Sequence, residues 1–261
     1  MSNSVEVRTD ERGVTRVALA RPDRRNALDR RFVDTLRATL EGLDGGTRVL
    51  ILEGRGESFC AGGDLGEMQA SAERSVEENV ADAMALSDLL ETLDTFPCPT
   101  VARVSGAAIG GGTGLVACCD IAIASELAVF ALPEVRLGFP PSTIGPYVLR
   151  AIGARAARRH FLTGERFDAL EAYRIGLVHD VCSDDNLDHR IDERVEALLA
   201  GGREALAATK RLIADVAARP SDETSRREAA ERLAGMRTGE EAQRRLAALV
   251  EERTSGPSGR P

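Results

Sequence analysis

No stretch of the 261-residue sequence holds the ~20 continuous apolar residues that a membrane helix needs, and the opening MSNSVEVRTDERG lacks the apolar core of a signal peptide. A soluble protein not exported by that route is expected. The sequence is also short of positive charge: 42 Asp and Glu stand against 34 Lys and Arg, mixed along the chain, for a formal charge of -8. Without a basic face there is little to neutralise phosphates, which sets aside nucleic acid and anionic membrane as partners. The five cysteines, Cys60, Cys98, Cys118, Cys119 and Cys182, form no C-x-x-C pair and no zinc spacing, and an odd number does not close a disulfide framework. They read as reduced thiols of a cytoplasmic protein. His160, His179 and His189 lack metal-ligand spacing, no serine occupies a G-x-S-x-G turn, and no G-x-x-x-x-G-K-[ST] occurs. With those schemes gone, carboxylates remain as the groups able to move protons.

Val14 to Ala20 reads as a short strand, and RPDRRNALD after it offers Asn26 as a helix N-cap with Asp29 in the first turn. A helix is therefore predicted to start near Ala27, and Leu28, Phe32, Leu36, Leu40 and Leu43 supply its apolar stripe before Gly45-Gly46. Arg48 to Glu53 and Thr100 to Ser105 are β-branched and leucine-rich runs, too short for helices and too apolar for exposed strands, which suits the middle of a buried sheet. Between them lie the glycine-rich Gly54 to Ser75 and a helical stretch from about Val76 to Asp94 containing Val80, Met84 and Leu90. Such a strand, loop, helix, strand unit requires parallel strands, and its long loop is a place for a binding site. Strands at Ile121 to Ala124 and Val129 to Ala131 continue the α/β pattern, giving one core domain over residues 1–200. From residue 201 the chain reads as two or three amphipathic helices, broken near Arg219-Pro220 and Gly239, either a cap on the same core or an oligomer contact. The final SGPSGRP is expected to be disordered.

Two segments stand out, Ser58-Phe-Cys-Ala-Gly-Gly-Asp64-Leu65 and Gly106-Ala-Ala-Ile-Gly-Gly-Gly-Thr-Gly114-Leu115, each following a buried strand. Glycines allow close backbone approach, and where such a run opens a helix its unpaired N–H groups favour negative charge, so two facing turns would form an anion hole. A dinucleotide-binding alternative exists, because Gly112-Thr-Gly114-Leu-Val-Ala117 fits G-x-G-x-x-A, although no acidic residue is clearly placed about 20 residues on. Among carboxylates, Glu134 lies just past a strand end in Phe130-Ala-Leu-Pro-Glu134-Val-Arg-Leu-Gly138, where apolar neighbours would raise its pKa into the range of a general acid or base.

Taken together these segments resemble the crotonase, or enoyl-CoA hydratase/isomerase, superfamily. The likeness runs through Arg21-Pro-Asp-Arg-Arg-Asn26-Ala-Leu28, Gly54 to Leu65, Pro99 to Gly112, Cys119-Asp120-Ile-Ala-Ile-Ala124, Phe130 to Gly138, Phe161-Leu-Thr-Gly-Glu165 and Ala172 to Val178. It implies an α/β spiral of β-β-α turns with a C-terminal helical region used in trimerisation, and a homotrimer or homohexamer. It implies an acyl-CoA thioester substrate and no cofactor beyond the coenzyme A that the substrate carries, and no metal. It places the oxyanion-hole N–H groups on Ala61 and Gly111 and the acid–base role on Glu134. Coenzyme A would lie along Arg25, Ala27 and Leu28 and along Phe59, Ala61, Gly62, Gly63, Asp64 and Leu65, with Gly110 and Gly114 also among the substrate-binding residues. Many hydratases of this superfamily use a second glutamate where this chain has Gly114. Asp64 and Glu67 are second candidates for the missing acid. The stretches Gly111 to Asp120 and Leu137 to Val148 resemble the methylglutaconyl-CoA hydratase-type branch, which puts hydration of a 2-enoyl-CoA first, a Δ3,Δ2-enoyl-CoA isomerase second, and a non-catalytic acyl-CoA binder third. Arg136, Tyr147 and Arg150 are candidates for the acyl end of the site.

Overall fold

The computed structural model describes residues 4–43, 45–218 and 222–255. The chain divides into two compact units, residues 1–195 and 196–261.

In the first unit β1 (Val5–Thr9) and β2 (Val14–Leu19) form an antiparallel pair, and α1 (Arg30–Glu41) returns the chain to β3 (Val49–Gly54), parallel to β2. A unit of one strand, a second short strand and a helix then recurs. First come β3, β4 (Ser58–Cys60) and the helices α2 (Leu65–Ala70) and α3 (Val76–Asp94). Next are β5 (Thr100–Val104), β6 (Ala107–Ile109) and α4 (Gly111–Cys118), and last β7 (Ile121–Ser125), β8 (Val129–Ala131) and α5 (Gly145–Thr163). After β9 (Arg166–Asp168) and α6 (Ala169–Arg174), β10 (Asp180–Cys182) and α7 (Leu187–Leu199) close the series. The first strand of each repeat joins a six-stranded sheet of order β1-β2-β3-β5-β7-β10, and the second joins a four-stranded sheet of order β4-β6-β8-β9. This is the β-β-α spiral expected of the superfamily.

The central strands explain their own composition. Val49 to Leu52 are wholly buried, as are Val101, Ala102 and Val104, because a parallel strand covered on both faces has no solvent side on which to place a polar residue. On α1 the residues Phe32, Val33, Leu36 and Leu40 turn inward, each worth about 1.5–3 kcal/mol when fully buried. Helix α3 spans the predicted residues, but its buried face is Ala85, Leu89, Leu90 and Leu93, whereas Val80 and Met84 are exposed. Only the C-terminal half of the helix packs into the core; Asn79, Asp82 and Ala83 border an open cavity.

The predicted helix start at Ala27 is overturned. Asp29 is the N-cap of α1, accepting from the Phe32 N–H at 2.8 Å. Asn26 is instead buried in a left-handed conformation, φ 55°, beside Arg25 at φ 50°. Its Oδ1 accepts from the Arg21 N–H (2.8 Å), and its Nδ2 donates to the carbonyls of Arg55 (3.0 Å), Ser58 (2.8 Å) and Phe59 (3.1 Å). A local cap rule lost to a tertiary demand, since asparagine tolerates φ > 0 and carries both donor and acceptor.

In the second unit three helices, α8 (Arg203–Ala218), α9 (Glu223–Thr238) and α10 (Glu240–Ser255), follow from Glu196 onward, with the predicted break at Gly239. Glu241 Oε2 accepts from the N–H groups of Glu204 (2.9 Å) and Ala205 (3.2 Å) at the start of α8, and Arg232 pairs with Asp215 at 2.6 Å. The other predicted break, at Arg219-Pro220, and the tail after Ser255 lie outside the described residues. No helix among the described residues is long and apolar enough to cross a membrane.

Candidate active site

The small sheet delivers the two glycine-rich segments side by side. Beyond β4 the chain runs against residues 25–28 in a short strand-like pairing. The Ala61 N–H donates to Arg25 O (3.0 Å), the Leu28 N–H to Gly62 O (2.7 Å), and the Asp64 N–H to Leu28 O (3.0 Å). Gly62 has φ +86°, and a Cβ built on it would stand 2.6 Å from Ile109 O and 3.7 Å from Gly111 N, so the first turn rests on the second and no side chain fits between them. From β6 the chain passes through Gly110, φ 50°, whose N–H donates to Ala131 O (2.8 Å), into α4.

These pairings correct the assignment of Ala61, because its N–H already serves Arg25. The Gly62 backbone beside the Cys60 thiol opposes the rise that burial causes in its pKa. Gly63 is the bridge residue opposite Leu28, and in a parallel bridge of this register its own N–H points away from Leu28. The Gly111 N–H occupies the first helical position of α4, where no carbonyl one turn earlier exists to receive it. Gly63 and Gly111, both on the wall of one cavity of about 1300 Å³, thus keep their N–H groups available for a ligand.

Glu134 enters the same cavity from a 3-10 turn at Pro133–Leu137, directly after β8 and closed by Gly138 at φ 91°. Its Oε1 lies 2.9 Å from where a Cβ on Gly110 would be, so the carboxyl stands over the turn that presents Gly111. Its Oε2 is buried without a hydrogen-bond partner, and burial raises its pKa above the usual glutamate value. The other carboxylates named from the sequence are committed elsewhere. Asp64 caps α2 through the Gly66 and Glu67 N–H groups and pairs with Arg24 at 3.4 Å, and Glu67 pairs with Arg74 at 3.3 Å. Cys60, wholly buried, has its thiol pushed up to about 12 by burial and is no nucleophile at neutral pH.

The family described as enoyl-CoA hydratase/isomerase matches residues 9–256. The chain belongs to the enoyl-CoA hydratase/isomerase family. Its structure resembles a crystal structure of an enoyl-CoA hydratase from Shewanella pealeana with a TM-score of 0.92 and 39% identity, covering 96% of this chain and 94% of that one. Among curated proteins, an Alternaria alternata enoyl-CoA hydratase is 34% identical over 185 residues, which span 70% of this chain and 60% of that protein. An enoyl-CoA isomerase/hydratase of Mycosarcoma maydis is 33% identical over 213 residues, 77% of each chain.

Within this hydratase/isomerase fold, Arg25, Ala27, Leu28, Ala61, Gly62, Gly63, Asp64, Leu65 and Gly110 all line the cavity. Two other substrate-binding candidates do not. Phe59 is a wholly buried core residue, its side chain alternating away from the cavity, and only its carbonyl acts locally, toward Asn26. Gly114 is also buried, because Ile144 Cγ2 stands 2.6 Å and Leu90 Cδ2 3.6 Å from where its Cβ would be. An aliphatic side chain therefore closes the space that a second glutamate would need. Arg136 reaches the cavity, but Tyr147 and Arg150 are not among its lining residues; Arg150 pairs with Asp94 and lies over the Tyr147 ring at 5.5 Å. None of the three histidines lines the cavity, and no group of three or more His, Cys, Asp or Glu among the described residues could hold a metal. Pro140 to Ile144 stood out in the sequence only as part of the stretch Leu137 to Val148 that carries the branch likeness, and their packing on Gly114 was not foreseen. The local signal for that packing was the glycine inside α4, whose cost in a helix calls for a packing reason.

Proposed function

We propose that this family member hydrates a 2-enoyl-CoA, with Glu134 making both proton transfers. The carrying observation is a buried, unpartnered carboxyl oxygen set over the turn that presents Gly111. In this reaction the thioester oxygen accepts from the Gly63 and Gly111 N–H groups. Water's oxygen bonds to C3 while its proton passes to Glu134, and the C2–C3 π pair shifts into an enolate whose charge the two N–H groups stabilise. Glu134 then returns the proton to C2. The hydratases among the relatives support this reading, and the sequence likeness to the methylglutaconyl-CoA branch supports a branched acyl group of that kind. Arg24, Arg25 and Arg30 on the cavity wall offer cations for the coenzyme A phosphates.

One observation favours a second reading. With Ile144 against Gly114 there is a single free carboxylate at the turn, which suffices for a Δ3,Δ2-enoyl-CoA isomerase moving one proton between two carbons. On α8 to α10 the residues Ile213, Val216, Leu233, Leu246 and Val250 remain exposed, which supports the trimeric assembly named by the resemblance. Five cysteines outside any disulfide support a cytoplasmic setting.

A general base with a raised pKa loses activity as pH falls through that value. The acid limb of kcat/KM for hydration is therefore expected above the ordinary glutamate pKa of ~4.3. A limb at or below that value would remove Glu134 as the base.

A further inference from the structure

If the hydratase reading holds, the attacking water needs a second anchor that the missing carboxylate cannot supply. We propose that the hydroxyls of Ser142 and Thr143 are that anchor, holding the water between themselves and Glu134. The placement follows from α4. The Gly114 N–H donates to Gly110 O at 3.0 Å, so the two glycines lie one helical turn apart. Glu134 Oε1 packs against the first (2.9 Å from its Cβ position) and Ile144 against the second. Positions one turn apart on a helix face are roughly 5–6 Å from each other, and two hydrogen bonds of ~2.8 Å through one water span about the same. Ser142 and Thr143 immediately precede Ile144 and both line the cavity.

Their turn is built to be rigid. Pro140 and Pro141 fix their own φ angles, the Ser142 N–H donates to Pro140 O (2.8 Å), and the Gly145 N–H donates to Pro141 O (2.7 Å). Neither hydroxyl has a protein hydrogen-bond partner among the described residues, in contrast to the cavity's Ser71, whose hydroxyl donates to Met68 O at 2.7 Å. A hydroxyl accepts one water hydrogen while Glu134 takes the other, which directs the water's lone pair at C3. No proton needs to leave the hydroxyl, so the proton balance stays with Glu134. Isomerisation uses no water and makes no demand on this pair.

The test compares two reactions of the purified full chain, hydration of crotonyl-CoA and conversion of a 3-enoyl-CoA to the 2-enoyl form. Ser142→Ala with Thr143→Val is expected to lower kcat for hydration about 10–100-fold with KM changed less than about threefold, while Glu134-dependent isomerisation is retained. Ser142→Thr and Thr143→Ser, which keep a hydroxyl, are expected to keep hydration and guard against a folding artefact. Equal losses in both reactions would make the turn a structural support only and overturn the proposal, as would unchanged hydration in the double variant. Wild-type protein that isomerises but never hydrates would overturn the hydratase reading itself, and this proposal with it.

Discussion

Glu134→Gln is expected to lower kcat for hydration by roughly 10²–10⁴-fold, the usual range for a positioned general acid–base group. The affinity for a CoA thioester should stay within about threefold, because the groups assigned to the thioester oxygen are the Gly63 and Gly111 backbone N–H groups, which a side-chain change leaves in place. Stability carries a further sign. Burial raises the Glu134 pKa, so the folded chain holds that proton more tightly than the unfolded one. The ionised carboxylate then subtracts from stability above its folded pKa, and the subtraction vanishes below its unfolded pKa. A neutral glutamine should accordingly melt no lower than wild type at pH 7 and show no such gain at pH 4. Unchanged turnover would take Glu134 out of the mechanism, and a clear loss of stability at pH 7 would give it a structural role.

The second large effect falls on stability. Asn26→Ala removes the acceptor of the Arg21 N–H and the donor to two buried carbonyls and one half-buried carbonyl. Since each buried group left unpaired costs about 1–3 kcal/mol, a loss of about 3 kcal/mol is expected after relaxation. For a unit of this size that corresponds to a melting temperature lower by roughly 6–12 °C. The same turn holds Arg25, whose carbonyl receives the Ala61 N–H, so CoA binding should weaken along with stability. A melting temperature within about 2 °C of wild type would contradict the role given to this side chain.

What the sequence made legible follows physical range. The run RVLILE announced a strand because a parallel strand buried on both faces must be apolar throughout, and the structure places Val49–Gly54 there. Glu134 could be singled out because its distinguishing features, a strand end and a proline, are its immediate neighbours. Ala61 was a wrong choice for the opposite reason. Which N–H of the Ala61 to Gly63 turn faces the cavity is decided by pairing with residues 25–28, remote in sequence. Asn26 satisfied a local cap pattern while its real partners lie at residues 55–59. The packing of Ile144 on Gly114 is likewise a long-range fact, and with it the place of Ser142 and Thr143 in the cavity wall.

The most direct test of the central claim follows the absorbance of the enoyl-thioester band with purified protein, offering crotonyl-CoA, 3-methylglutaconyl-CoA and a 3-enoyl-CoA in separate assays. Hydration by Glu134 requires the band to fall with at least one of the two 2-enoyl thioesters, and to stay unchanged over the same period in the Glu134→Gln variant. A band that persists with both, while the 3-enoyl thioester alone gives rise to it, would contradict hydration and leave an isomerase.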